Sequence, residues 1–449
     1  MSYDLIVRGG RLVTPDGIRN GDIGISEGRI VAIEEEVSDA GGSAYGGATP
    51  EIDARGRTVF PGMVDAHVHF NDPGRDAWEG GATGSAALAA GGGTTFVDMP
   101  LNASPPTLDG SSFDAKVDAL SGRCFTDFAL YGGLTPANLD TMEELAERGV
   151  VGYKAFMVPS GIEDFQYADD LTLLRGMEIA SRLGLPVLLH AESISLVSAL
   201  ADELLATPGA DDAADIRAFL DSRPIISELQ AISRALLFAE ETGCKVHIVH
   251  VTNPRGIALV RDAVSRRGID ASCETCPHYL FLNEDDAIAI GARAKCAPPL
   301  RSEAVRKALL ESVLAGAVDT IGSDHSPAPE SMKSGPYRRA WGGISGAQSL
   351  LRILLTLGIP EERVAALAAQ NPAERFALPG KGKIAVGYDA DLTIVDVEKT
   401  SALLREELRD RHRLSPYVGR DLKGHIDMVL LRGRPAGESP RGQLLRPSR

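Results

Sequence analysis

His67 and His69 flank Val68 at the end of the apolar run 58–66, and they are the residues of this chain best placed to hold a metal ion. Side chains alternate faces along a strand, so the two imidazoles project from one side and can grip a single cation. Further candidate ligands also follow apolar runs: Lys154 in Gly152-Tyr153-Lys154-Ala155-Phe156-Met157, His190 after Val187-Leu188-Leu189, His250, and Asp324 in Ser323-Asp324-His325-Ser326. His247 and His250 lie three apart on one strand and should face opposite sides. His250, nearer the carboxyl end, is the candidate, and His247 reads as a satisfied histidine packed against a helix. His325 suits a hydrogen-bonding role beside the site.

Lys154 is the odd member, because a buried ammonium beside cations is costly. Either it snorkels to solvent, or its amine has reacted with carbon dioxide to give an anionic, bidentate carbamate able to bridge two metals. In the second case four imidazoles, the carbamate and one carboxylate make a two-metal site, where a shared hydroxide becomes a nucleophile near neutral pH. Asp324 supplies a carboxylate able to bind metal or carry a proton. Nitrogen-rich ligation suits zinc, with cobalt, iron and manganese as alternatives.

Two other motifs carry less. Cys273-Glu-Thr-Cys276 has no second pair to complete a zinc ribbon, and Pro277 spoils a haem-attachment pattern. Gly91-Gly92-Gly93 lacks the surroundings of a phosphate loop and reads as a helix end turning into a strand.

Something must position these side chains. Short Val-, Ile-, Leu- and Phe-rich runs recur near 58–66, 93–99, 127–132, 150–157, 185–190, 245–251, 269–276 and 318–323, separated by Ala- and Leu-rich segments of helical period. Strands alternating with helices imply parallel pairing, and eight such units imply an α/β fold, a closed (β/α)8 TIM barrel with active-site residues at the carboxyl ends of its strands. All six candidate ligands fall there. The flanks differ: 3–57 alternates apolar and polar residues around Gly turns, and 381–396 resumes that pattern. The expected organisation is a barrel over 58–377 beside a small β-sandwich domain formed by 1–57 and 378–449. Residues 38–50 read as a surface loop and 435–449 as a loose tail.

With 46 Lys and Arg against 62 Asp and Glu, the formal net charge is −16, which disfavours nucleic acid and anionic membranes as partners. The N-terminal residues lack an export pattern, no run of about 18 apolar residues occurs, and five cysteines form no disulfide framework, so a cytoplasmic protein is expected.

Longer strings make the reading specific. Phe70-Asn71-Asp72-Pro73-Gly74-Arg75, Trp78-Glu79-Gly80, Met99-Pro100-Leu101-Asn102, Lys154-Ala155-Phe156-Met157, Glu274-Thr275-Cys276-Pro277-His278-Tyr279, Lys295-Cys296-Ala297-Pro298-Pro299 and Trp341-Gly342-Gly343-Ile344 resemble the cyclic amidohydrolases, which include dihydroorotases, hydantoinases, dihydropyrimidinases and allantoinases. The resemblance spans nearly the whole chain and is strongest to the allantoinase branch. It implies a ligand set of His67, His69, Lys154, His190, His250 and Asp324, carboxylation of Lys154, and two divalent metal ions. It also implies hydrolysis of a cyclic amide in purine and ureide breakdown, and a homo-oligomer, dimer or tetramer. Substrate contacts are expected from Asn102, Ser160 and main-chain groups near Ala297 and Gly342. Two departures bear on substrate. Dihydroorotases place an Arg where this chain has Asn71, which cannot form a charged fork with a carboxylate. Hydantoinases and dihydropyrimidinases place an oxyanion-steadying Tyr where this chain has Pro159, leaving Ser160 or the Ser160-Gly161 backbone for that role. A hydantoinase or dihydropyrimidinase is the alternative, ahead of a dihydroorotase or a scaffold that has lost catalysis.

Overall fold

In the computed structural model, which describes residues 2–37, 48–204, 206, 209 and 211–448, each of the eight runs contributes a strand to one barrel. The strands are Met63–Val68, Gly93–Asp98, Asp127–Leu130, Tyr153–Phe156, Val187–His190, Val246–Ile248, Ala271–Thr275 and Thr320–Ile321. The first three pair in parallel, as do the last five. Gly132–Gly133, just after the third strand, pairs with the fourth, and the ring closes where His69 N donates to His325 O at 2.8 Å. Both faces of each strand are buried, by the barrel interior and by the outer helices, which is why the strands read as continuous apolar runs. Helix ends follow local chemistry. Asn253 caps Pro254–Arg267 by accepting from Gly256 N at 2.9 Å, and Gly268, in the left-handed region, ends it. Gly91 and Gly92 join the helix Gly81–Ala90 to the second strand, as the sequence suggested.

The flanks meet in one sheet of order Arg434–Pro435, Asp421–Leu431, Leu392–Ala402, Thr58–Pro61, Leu5–Thr14, Gly17–Ser26, Arg29–Glu34, with Glu51–Asp53 also against Leu5–Thr14. Glu27 and Gly28, both at positive φ, make the tight turn that joins Gly17–Ser26 to Arg29–Glu34. Three expectations change. The run 58–66 is two strands broken at Gly62, the first belonging to the flanking sheet. Residues 381–391 form no strand, and the sheet resumes only at Leu392. The C-terminal tail is not loose: Phe128 N donates to Gln443 O at 2.9 Å and Leu445 N to Phe128 O at 2.7 Å, so it pairs along the base of the third barrel strand. The loop expected at 38–50 lies, over 38–47, outside the described residues.

Candidate metal centre

Five strand ends deliver six side chains to one cavity at the carboxyl face of the barrel. His67, His69, Lys154, His190, His250 and Asp324 all line it, together with Asn102, Ser160, Ala297 and Gly342. His67 Nε2 and His69 Nε2 lie 3.3 and 3.4 Å from Asp324 Oδ1. The rings of His190 and His250 stand edge-on with centroids 4.6 Å apart, and those of His67 and His250 are separated by 5.5 Å. His250 and Asp324 adopt φ of +43° and +48°, sparsely populated for non-glycine residues and concentrated at functional sites. The turn at His250 defeats the alternation argument. His247 also faces the barrel interior: its Nδ1 is 2.7 Å from Ser272 Oγ, its Nε2 is 3.4 Å from Thr320 Oγ1, and its ring stands edge-on to Phe376, at the end of the helix Asn371–Arg375, with centroids 5.5 Å apart.

The candidate ligand rings are aimed by carboxylates that sequence reasoning did not single out. His67 Nδ1 donates to Glu274 Oε1 at 2.6 Å, and His190 Nε2 donates to Glu192 Oε2 at 2.7 Å, so each ring turns its other nitrogen towards the cavity. Asp65 Oδ1 accepts from Ser323 N at 3.0 Å, tying the first strand to the Asp324 loop. Glu192 is paired in turn with Arg223, which also lines the cavity. Burial opposes ionisation of Glu274 and Glu192, yet His67 in one case and Arg223 in the other outweigh it and hold both carboxyls at about 2. For Asp324 burial is likewise outweighed, by His67 and His69, and the carboxyl sits well below the usual range. Burial pushes His69, His190 and His250 down, with Lys154 adding to the effect, so these rings are neutral, the form that ligates metal.

Snorkelling of Lys154 is excluded, because the side chain is 0 % exposed. Among the described residues its Nζ has no hydrogen-bond partner; it lies 5.0 Å from the Phe156 ring centroid, and burial lowers its ammonium to about 8. An orphaned amine among neutral imidazoles and a carboxylate fits a divalent-metal site, and ligand atoms of His67, His69 and Asp324 lie within 4.8 Å of one another. Among the predicted substrate contacts, Asn102 Nδ2 reaches Ser326 Oγ at 3.4 Å, while Ser160 Oγ is spent on its own loop, donating to Phe165 O at 2.7 Å and accepting from Ile162 N at 3.1 Å. Asn71 is buried and lies off the cavity wall. Cys273 and Cys276 are free and buried, and burial raises both thiols, which leaves them inert.

A parallel eight-stranded barrel with histidines and a carboxylate gathered at its carboxyl face defines a barrel hydrolase of the metal-dependent class. The chain belongs to the amidohydrolase family, whose profile matches residues 58–436. It is 51% identical to an allantoinase of Rubrobacter xylanophilus, covering 100% of this chain and 98% of that protein. It is 39% identical to an allantoinase of Escherichia coli, with 96% of this chain and 95% of that one covered. Among solved structures, an L-hydantoinase (dihydropyrimidinase) from Arthrobacter aurescens superposes with a TM-score of 0.92 at 34% identity, covering 99% of this chain and 100% of that one.

Proposed function

We propose that this chain is an allantoinase, opening the hydantoin ring of allantoin to give allantoate, a role in purine and ureide breakdown. The observation that carries the reading is the convergence of His67, His69, Lys154, His190, His250 and Asp324 on one cavity, in a chain similar over its full length to allantoinases. Two divalent cations, zinc in the first instance, held by these residues with Lys154 as a carbamate, would supply Lewis acidity towards the ring carbonyl and towards water. The protein's own part is proton transfer and orientation. Asp324, ionised and within reach of both His67 and His69, takes the proton of the attacking water and delivers it to the ring nitrogen as the C–N bond breaks. Glu274 and Glu192 fix the His67 and His190 rings so that no reorientation accompanies the reaction. With Ser160 Oγ engaged, the backbone of that loop is the group available to steady the oxyanion in place of the hydantoinase Tyr.

The cavity does contain an Arg, Arg223, but Glu192 neutralises it, which suits a neutral ureide better than the carboxylate of dihydroorotate. A hydantoinase-type activity is the second reading, favoured by the likeness to the Arthrobacter structure. The test is ring opening of allantoin by the wild type and by Lys154→Ala. The variant should lose metal and activity, and acetate or propionate at high concentration with divalent metal should restore part of both by filling the vacated bridge. Full activity and metal content in Lys154→Ala would overturn the carbamate. Failure of the wild type to open allantoin while opening hydantoins or dihydropyrimidines would assign the second reading.

A further inference from the structure

Lys295, which is buried, and Lys333, which is half-buried, lie beside the cavity and are not used by the proposed chemistry. Lys295 Nζ donates to Tyr337 O at 2.7 Å, Arg338 O at 3.2 Å and Ala340 O at 2.8 Å, and lies 4.5 Å from the Phe219 ring centroid. Lys333 Nζ donates to Ala292 O at 3.2 Å, Trp341 O at 2.9 Å and Gly343 O at 2.5 Å. Among the described residues neither forms an ion pair with a carboxylate. A lysine whose whole donor set goes to main-chain carbonyls, with no counter-ion, fixes backbone direction rather than balancing charge. The two cages fasten two strips of chain, 292–297 and 337–343, which supply Cys296, Ala297, Trp341, Gly342 and Gly343 to the cavity wall.

We infer that Lys295 and Lys333 are positioning residues that turn the main-chain edge of Gly342 towards the ring of the substrate. The N–H and C=O of a trans peptide point in opposite directions. Trp341 O is held by Lys333, so the N–H of Gly342 faces away from that lysine; Gly343 N donates to Lys295 O at 2.8 Å, so the C=O of Gly342 faces away from Lys295. Gly342 lines the cavity, and its N–H and C=O make no hydrogen bond among the described residues. A donor and an acceptor side by side on one residue match the adjacent C=O and N–H of a cyclic ureide, as one strand edge matches another. Asp215 reinforces the arrangement by accepting from Arg338 N at 3.0 Å, and Trp341 packs edge-on against Trp78 with ring centroids 4.8 Å apart.

This inference rests on the cyclic-ureide reading, but it is read on whichever ring the metal-loaded wild type proves to open, so the two fail separately. Lys333→Met should raise KM by about tenfold or more, the cost of misplacing one hydrogen-bonding edge, with kcat within about threefold and metal content unchanged. Lys333→Arg, which keeps a cation and several donors, should recover part of the lost affinity. Lys295→Met should behave as Lys333→Met does. If Lys295→Met does not fold, Lys333 carries the test, because it sits on a partly exposed loop. An unchanged KM in Lys333→Met would overturn the inference. So would a fall in kcat and metal content with KM constant, or loss of the fold in both Lys333 variants.

Discussion

On the proposed reading Asp324 both ligates metal and carries the proton, and the two tasks separate on substitution. Asp324→Asn keeps an oxygen able to ligate metal but cannot accept the proton, so part of the metal should remain while kcat falls by roughly 10² to 10⁴. Metal analysis beside steady-state kinetics checks this, and near-normal turnover would remove Asp324 from the proton path. Lys154 makes a pH prediction. Only the neutral amine reacts with carbon dioxide, and burial brings the ammonium down to about 8. The neutral fraction therefore grows as pH rises through that value. Metal-free protein reloaded with cation at one fixed concentration of dissolved carbon dioxide should regain activity faster at pH 9 than at pH 6.5, as followed by assays at successive times after reloading. A rate of return independent of pH would count against the amine as the reacting group.

The strands hold these side chains through contacts with little slack. A Cβ on Gly322, next to the Asp324 loop, would stand 2.6 Å from Glu274 Oε2 and 2.8 Å from His67 Cβ. Gly322→Ala should therefore lower stability by about 1–3 kcal/mol and weaken metal binding by turning the His67 ring, measurable by denaturant melts and metal titration. The strands themselves were legible because doubly covered parallel strands are continuous apolar runs, and the candidate ligands because they end those runs. Alternation misjudged His247 because the chain turns at His250, where a positive φ breaks the two-residue period. Asp65 and Glu274 were legible in principle as charged residues inside buried strands. The pair of Glu192 and Arg223 was not, since 31 residues and two helices separate them and no local period connects such positions.

The flanking sheet and the barrel are joined by a buried ion network. Lys381 Nζ lies 2.6 Å from Asp127 Oδ2 at the base of the third barrel strand, 2.8 Å from Asp391 Oδ2 and 2.9 Å from Asp389 Oδ2. The lysine thus fills the middle of a carboxylate cluster that could otherwise attract a cation. Burial opposes its charge, but the three carboxylates outweigh it and raise its pKa, so its stabilisation is fully present at neutral pH and fades only as pH rises beyond the ordinary lysine range. Arg432 also pairs with Asp127, so Lys381→Met chiefly strips buried Asp391 of its counter-ion and should cost about 3 kcal/mol at pH 7. The loss should be smaller near pH 5, because Asp391, already raised by burial, can then take up a proton. Thermal melts of both proteins at the two pH values read this directly. At the level of the whole molecule the central claim is substrate, and it is tested most directly by kcat/KM on one metal-loaded preparation for allantoin, hydantoin, dihydrouracil and dihydroorotate. The account expects allantoin to lead and dihydroorotate to be turned over negligibly; a kcat/KM for dihydroorotate or dihydrouracil equal to or above that for allantoin would contradict it.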